Sequence, residues 1–120
     1  MSPTKPKRVL VLAAEPVIAA LLALLLELEG REPVFPFPGE RPEDALARLR
    51  PPLVVLLDGA LEAARSDLFF ARATRAGAGI VLFSAPHDAT PVATLARARG
   101  VPHVRLPASR AALTEAMGRE

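Results

Sequence analysis

Residues Leu53–Asp58 read LVVLLD, five consecutive apolar residues closed by one carboxylate. A short, unbroken apolar run of this kind marks a strand covered on both faces, as the strands of parallel sheets are. The same signature recurs as RVLVLA over Arg8–Ala13 and as GIVLFS over Gly79–Ser84. Helical punctuation lies between these runs. Pro16 suits the first turn of a helix that reaches about Leu28 and stops at Gly30. Glu32–Phe37 is a weak strand that Pro33, Pro36 and Pro38 confine to a sheet edge. Pro42 opens a short helix with Glu43 and Asp44 in its first turn, ended by Pro51-Pro52. A helix is predicted from about Leu61 to Ala76, bounded by Gly77. Thr90 caps another that begins at Pro91 and ends at Gly100. Val101–Leu106 reads as a fifth strand, and Ser109 caps a last helix running through about Met117.

Strand and helix thus alternate five times over. Helices between apolar strands demand parallel pairing through right-handed crossovers, so the expected fold is a three-layer α/β domain with helices on both faces of one sheet. Met1–Lys7 is polar, holds two prolines and reads as a flexible N-terminal arm; residues 8–120 form one domain, a size that fits one core.

Composition narrows the functional classes. The apolar fraction of 51% excludes a disordered tail. There is no Trp or Tyr and only five Phe, so stacking of nucleobases has little material. A net charge of +2, with no block of like charges, argues against a nucleic-acid partner. The absence of cysteine excludes disulfides, thiolate catalysis and Cys-ligated metal, and accords with a cytoplasmic location. Lys5, Lys7 and Arg8 before the apolar stretch Val9–Leu28 imitate a signal peptide or membrane anchor, but Glu15-Pro16 cuts that stretch in half. The longest run left, Val17–Leu26, is about half of what a spanning helix needs. The reading is a buried strand followed by a helix, with no membrane partner.

In an open parallel sheet, ligands bind beyond the carboxyl ends of the strands. The informative residues are therefore Ala13, Ala14 and Glu15 after the first strand, Asp58 after the third, Ser84 after the fourth, and Leu106-Pro107 after the fifth. From position alone, Asp58 is either a cap for the next helix or a phosphoryl acceptor. His87 and His103 are the only histidines; a metal site joining them to Asp58 is outweighed by the ordinary role of such groups at a surface. Ser84 lacks the Gly-x-Ser-x-Gly elbow of a nucleophile.

The order and spacing of RVLVLAAEP, PLVVLLD, GIVLFS and GVPHVRLP resemble the receiver domain of bacterial response regulators over nearly the whole chain, from Arg8 to about Met117. The resemblance implies a doubly wound, flavodoxin-like (CheY-like) five-stranded sheet of order 2-1-3-4-5. It implies that Asp58 is the phosphoacceptor and that Ser84 is the hydroxyl sensing the phosphoryl group. His103 then takes the place of the switch aromatic, Glu15-Pro16 the end of the acidic motif, and Pro107 the proline of Lys-Pro. Departures are equally clear. Ala13-Ala14 replaces the acidic pair, Leu106 replaces the lysine, and Glu62 stands where receivers often carry a proline after the phosphoacceptor. Transfer to an Asp brings two negative groups together and relies on a divalent cation and a lysine to neutralise them. Only Glu15 and Asp58 remain as metal ligands, so no cofactor is expected, and Mg²⁺ only weakly if at all.

At about 100° per residue, Val17, Leu21, Leu24, Leu25 and Leu28 share one face of the first helix, expected to pack on the sheet. Leu22 and Leu26 then face outward as a candidate partner or homodimer surface. Leu95, Arg97, Arg99 and Arg110 are a second candidate surface, because receivers commonly dimerise there. The expected function is that of a receiver-like, non-enzymatic module of two-component (phosphorelay) signalling. It is expected to act by contact with a histidine kinase or another signalling protein, with impaired or absent Mg²⁺-dependent phosphorylation. One alternative is a working receiver phosphorylated on Asp58 by a histidine kinase. The other is a small α/β enzyme or nucleotide binder, which would need a phosphate-cradling glycine loop or a catalytic triad; AAEP after the first strand supplies no such loop.

Overall fold

The computed structural model describes residues 8–49, 53–85, 91–106 and 115. Five strands, β1 (Arg8–Leu12), β2 (Glu32–Val34), β3 (Leu53–Asp58), β4 (Gly79–Ser84) and β5 (His103–Arg105), pair in parallel in the order β2-β1-β3-β4-β5. The expected sheet and its order are those observed. The apolar strands β1, β3 and β4 occupy its centre, and proline-bearing β2 lies on an edge, where a missing N–H costs no ladder bond.

Alternation along the central strands feeds two cores, one on each face. Val9, Val11, Val54, Leu56, Val81, Phe83, Val104 and Leu106 meet helix α1 (Pro16–Leu28) on one side. Leu10, Leu12, Val55, Leu57, Ile80 and Leu82 meet helices α2 (Pro42–Arg48), α3 (Asp67–Arg75) and α4 (Val92–Arg99) on the other. No helix among the described residues is long and apolar enough to cross a membrane.

The element boundaries follow the sequence with four corrections, of which the first is the edge strand: it pairs only over Glu32–Val34, not to Phe37. The single helix expected from Leu61 to Ala76 is a 3-10 turn, Glu62–Arg65, followed by α3. Ser66 causes the break: its hydroxyl accepts the Phe69 N–H at 3.1 Å, and Asp67 follows in the first turn. Pro91 is the N-cap of α4 rather than its first residue; Thr90 lies outside the described residues, and Gly100 closes the helix at φ 69°. The fifth strand pairs only over His103–Arg105, not from Val101 to Leu106. The N-terminal arm, His87, Pro107, Arg110 and the expected last helix also lie outside the described residues, apart from a helical Glu115.

The orientation of α1 is opposite to that expected. Leu22 and Leu26 are both 0% exposed and form the centre of the core on that face, with Ile18, Ala19 and Leu25 packed around them. Val17 (76%), Leu21, Leu24 (55%) and Leu28 face outward instead. Leu22 and Leu26 are therefore not an interaction surface. The helix is apolar on every side, so hydropathy selects no face; its phase is fixed where the chain leaves β1 and turns through Pro16 at N1. The second candidate surface is also partly spent. Leu95 packs against the core, and Arg99 donates to Asp67 and lies over the Phe70 ring at 4.5 Å, tying α4 to α3. Arg97 is exposed.

One close approach links α4 to the sheet rim. A Cβ on Gly59 would lie 2.4 Å and 2.6 Å from the two γ-carbons of Val92, so only glycine fits beneath the first turn of α4. Two outcomes check this packing by urea unfolding. Leu26→Ala is expected to cost about 2–5 kcal/mol, whereas Leu24→Ala stays within about 0.5 kcal/mol of the parent; equal costs would mean that the opposite face of α1 meets the sheet. Gly59→Ala is expected to cost about 1–3 kcal/mol by overpacking. Val92→Ala should relieve much of that cost in the double variant, and strict additivity would argue against the contact.

Candidate functional site

The carboxyl ends of β1, β3, β4 and β5 assemble the rim where the sequence places its chemistry. Asp58 is the last residue of β3, beside the end of β1, where Leu12 pairs with Leu57. Asp58 is only 5% exposed. A buried carboxylate must find donors, and both come from backbone. Ala14 N–H donates to Oδ2 at 3.0 Å, and Ala60 N–H donates to Oδ1 at 2.9 Å. The second contact is an Asx turn. The turn is reinforced by Leu61 N–H on the Asp58 carbonyl at 3.0 Å and by Gly59 N–H on the Phe83 carbonyl at 2.9 Å. Asp58 thus ties the loop after β1 to the loop after β3. It does not cap a helix, because the next turn begins at Glu62 with Leu61 as its N-cap.

Neither alanine after β1 carries a charge to this rim. Ala13 is half-buried among apolar neighbours and Ala14 is exposed. Glu15 is exposed at the N-cap of α1, where its carbonyl accepts the Ala19 N–H. No cluster of three or more His, Asp or Glu side chains suited to a metal occurs among the described residues.

Ser84, the last residue of β4, is 7% exposed, and its Oγ lies 3.0 Å from Nε2 of His103 on β5. The parallel register explains the pairing: Leu82 opposes His103 and Ser84 opposes Arg105, so Ser84, His103 and Arg105 lie on one face of the sheet. The His103 pKa is lowered, first by burial and then by the nearby Arg105 charge. The ring is neutral at pH 7, so it can accept the Ser84 proton or, in its other tautomer, donate to the hydroxyl.

Leu106 is buried in the same core cluster as Val104 and Phe83 on the α1 side of the sheet; its N–H donates to the Ser84 carbonyl at 2.9 Å. The structure therefore brings Ser84 and His103 together, holds Asp58 by backbone donors, and turns Leu106 into core. Sequence reasoning missed two participants. The donors on Asp58 are backbone groups of alanines, which leave no side-chain signal. Arg105, on the same face as His103 two residues away, could have been read from strand alternation.

No protein-family model and no curated protein matches the chain. Solved structures do. The crystal structure of FixJ-N shares 18% identity at a TM-score of 0.69, covering 95% of this chain and 92% of that one. A response regulator receiver protein from Burkholderia phymatum gives 18% identity and a TM-score of 0.69, covering 95% and 97%. SdrG from Sphingomonas melonis Fr1 gives 22% identity and a TM-score of 0.66, covering 96% of each chain. At these identities the likeness speaks for the architecture alone, and it agrees with the observed strand order: the chain has the CheY-like fold of response-regulator receiver domains.

Proposed function

We propose that this chain is a receiver-like module of two-component signalling that works in the cytoplasm by protein–protein contact, without efficient Mg²⁺-dependent phosphorylation. One observation carries the proposal: both oxygens of Asp58 are already matched by the N–H groups of Ala14 and Ala60. The donor set also does not fit the cation that such phosphorylation requires. Mg²⁺ takes hard oxygen ligands at near-octahedral angles, commonly with one or two carboxylates besides the phosphate. Here Ala13 and Ala14 offer no side-chain oxygen. Each Asp58 oxygen keeps a further lone pair, but no second side-chain carboxylate stands beside it to help complete a cation's shell, and Glu15 points from the exposed N-cap of α1. With Leu106 in the core, no cation from that position can reach a phosphoryl oxygen.

On this reading the carboxylate is an architectural acceptor that preserves the receiver rim without its chemistry. The partner is a histidine kinase or another signalling protein. The apolar outer face of α1, Val17, Leu21, Leu24 and Leu28, supports contact with such a protein or with a second copy better than the buried Leu22 and Leu26.

Two measurements test the reading. In an NMR titration with Mg²⁺ and beryllofluoride, the amides of Ala14, Asp58, Ala60 and Ser84 are expected not to shift saturably at millimolar Mg²⁺. Localised, saturating shifts there would restore the working receiver phosphorylated on Asp58. In denaturant unfolding, Asp58→Asn is expected to lose about 1–3 kcal/mol, because the amide NH₂ must face a backbone N–H that a carboxylate oxygen now accepts. An unchanged midpoint would show that the carboxylate is not held as described.

A further inference from the structure

Among the described residues, four of the seven exposed large apolar side chains stand on one helix: Val17 (76% exposed), Leu21 (40%), Leu24 (55%) and Leu28 (54%) of α1. At about 100° per residue these four fall within an arc of about 60°, opposite the buried Leu22 and Leu26. We propose that this stripe is the interface of a twofold-symmetric dimer, in which α1 packs antiparallel against α1 of a second copy. The dimer rests on the reading of this protein as a contact module, but it does not depend on whether Asp58 takes a phosphoryl group.

The spacing of the stripe is self-complementary. Val17, Leu21, Leu24 and Leu28 are separated by 4, 3 and 4 residues, the a/d alternation of a coiled-coil seam. The series reads the same in both directions. A twofold axis between Leu21 and Leu24 therefore sets Val17 against Leu28 of the second copy, and Leu21 against Leu24 of the second copy. An isologous interface needs such a patch, because one surface must complement itself. The 13-residue helix is about 20 Å long, so every apolar pair fits along it.

Charge points to the same partner and the same orientation. Glu27 is the only charged residue of α1, and it stands exposed beside the stripe, toward the negative end of its own helix dipole. The helix has no acidic residue in its first turn, no basic residue in its last turn and no side-chain cap from Glu15. An antiparallel second copy answers both ends at once. It brings Glu27 beside the N-terminal turn of the opposing helix, across from the small Ala20 of that copy. A parallel pair would set Glu27 against Glu27 and like helix ends side by side. An anionic lipid surface is a poorer occupant, since α1 carries no Lys or Arg to meet it. One helix from each copy makes a small interface, so the dimer belongs at the weak, concentration-dependent end of the range.

The test is sedimentation velocity of the full chain from micromolar to millimolar concentration. A reversible monomer–dimer equilibrium is expected. Leu24→Glu is expected to weaken it about tenfold or more, because the twofold axis brings the new charge into the interface twice. Glu27→Lys, which leaves every apolar pair in place, is expected to weaken it several-fold at an unchanged unfolding midpoint. Orientation is read by disulfide trapping, in a chain that has no native cysteine. Val17→Cys mixed with Leu28→Cys is expected to cross-link between the two variants in preference to either variant with itself. A monomer at every concentration would overturn the proposal, whether residues 107–120 cover the face or a heterologous helix is its partner. So would either charge variant dimerising as the parent does, or each cysteine variant trapping only with itself. A Mg²⁺ response at Asp58 changes none of these outcomes, so the dimer and the loss of phosphorylation fail separately.

Discussion

A carboxylate removed from water has to be answered by donors, and at the rim of this sheet the answer comes from the main chain. Asp58 closes the most apolar strand and accepts from Ala14 on one side and Ala60 on the other. Because its two oxygens engage two different loops, the ends of β1 and β3 are held in register beyond the last ladder bond. Much else at the rim follows from this. The turn after β3 is tight, Gly59 lies under α4, and the chain leaves β1 at a fixed angle into α1.

The same geometry sets which polar groups stand at the rim and what they meet. After β1 the rim carries the side chains of Ala13 and Ala14, and the Asp58 carboxylate accepts from backbone N–H groups. Leu106 is absorbed into the apolar layer under α1. Ser84 hydrogen-bonds to His103 across the two strands. Each arrangement is individually compatible with the fold, because the fold rests on the two cores and not on the rim's charge.

The sheet was legible because its evidence is redundant. Three apolar runs of strand length, separated by Pro- and Gly-punctuated segments, admit few arrangements, and parallel crossovers reduce these to one family of topologies. The orientation of α1 was not legible, for the opposite reason. A helix with leucine, valine or alanine on every side offers no contrast, so counting angles finds a plausible inner face wherever it starts. Ser66-Asp67 was a readable cap signal, hidden because the residues around it also suit a helix. At the site, residue types and positions were readable: Asp58, Ser84 and His103 stand where expected. Their partners were not, since backbone donors have no letter in the sequence and the Ser84–His103 contact depends on the register of two strands.

The contact between Gly59 and Val92 couples two parts of the molecule that share no hydrogen bond among the described residues. The Asp58 turn and the first turn of α4 interlock through bare van der Waals surfaces with no slack between them. Densely packed contacts of this kind behave as stops rather than springs. A partner pressing on α4 therefore meets resistance from the strand end itself, and a rearrangement of the turn would lift the helix. A displacement can in this way cross the rim by steric exclusion alone.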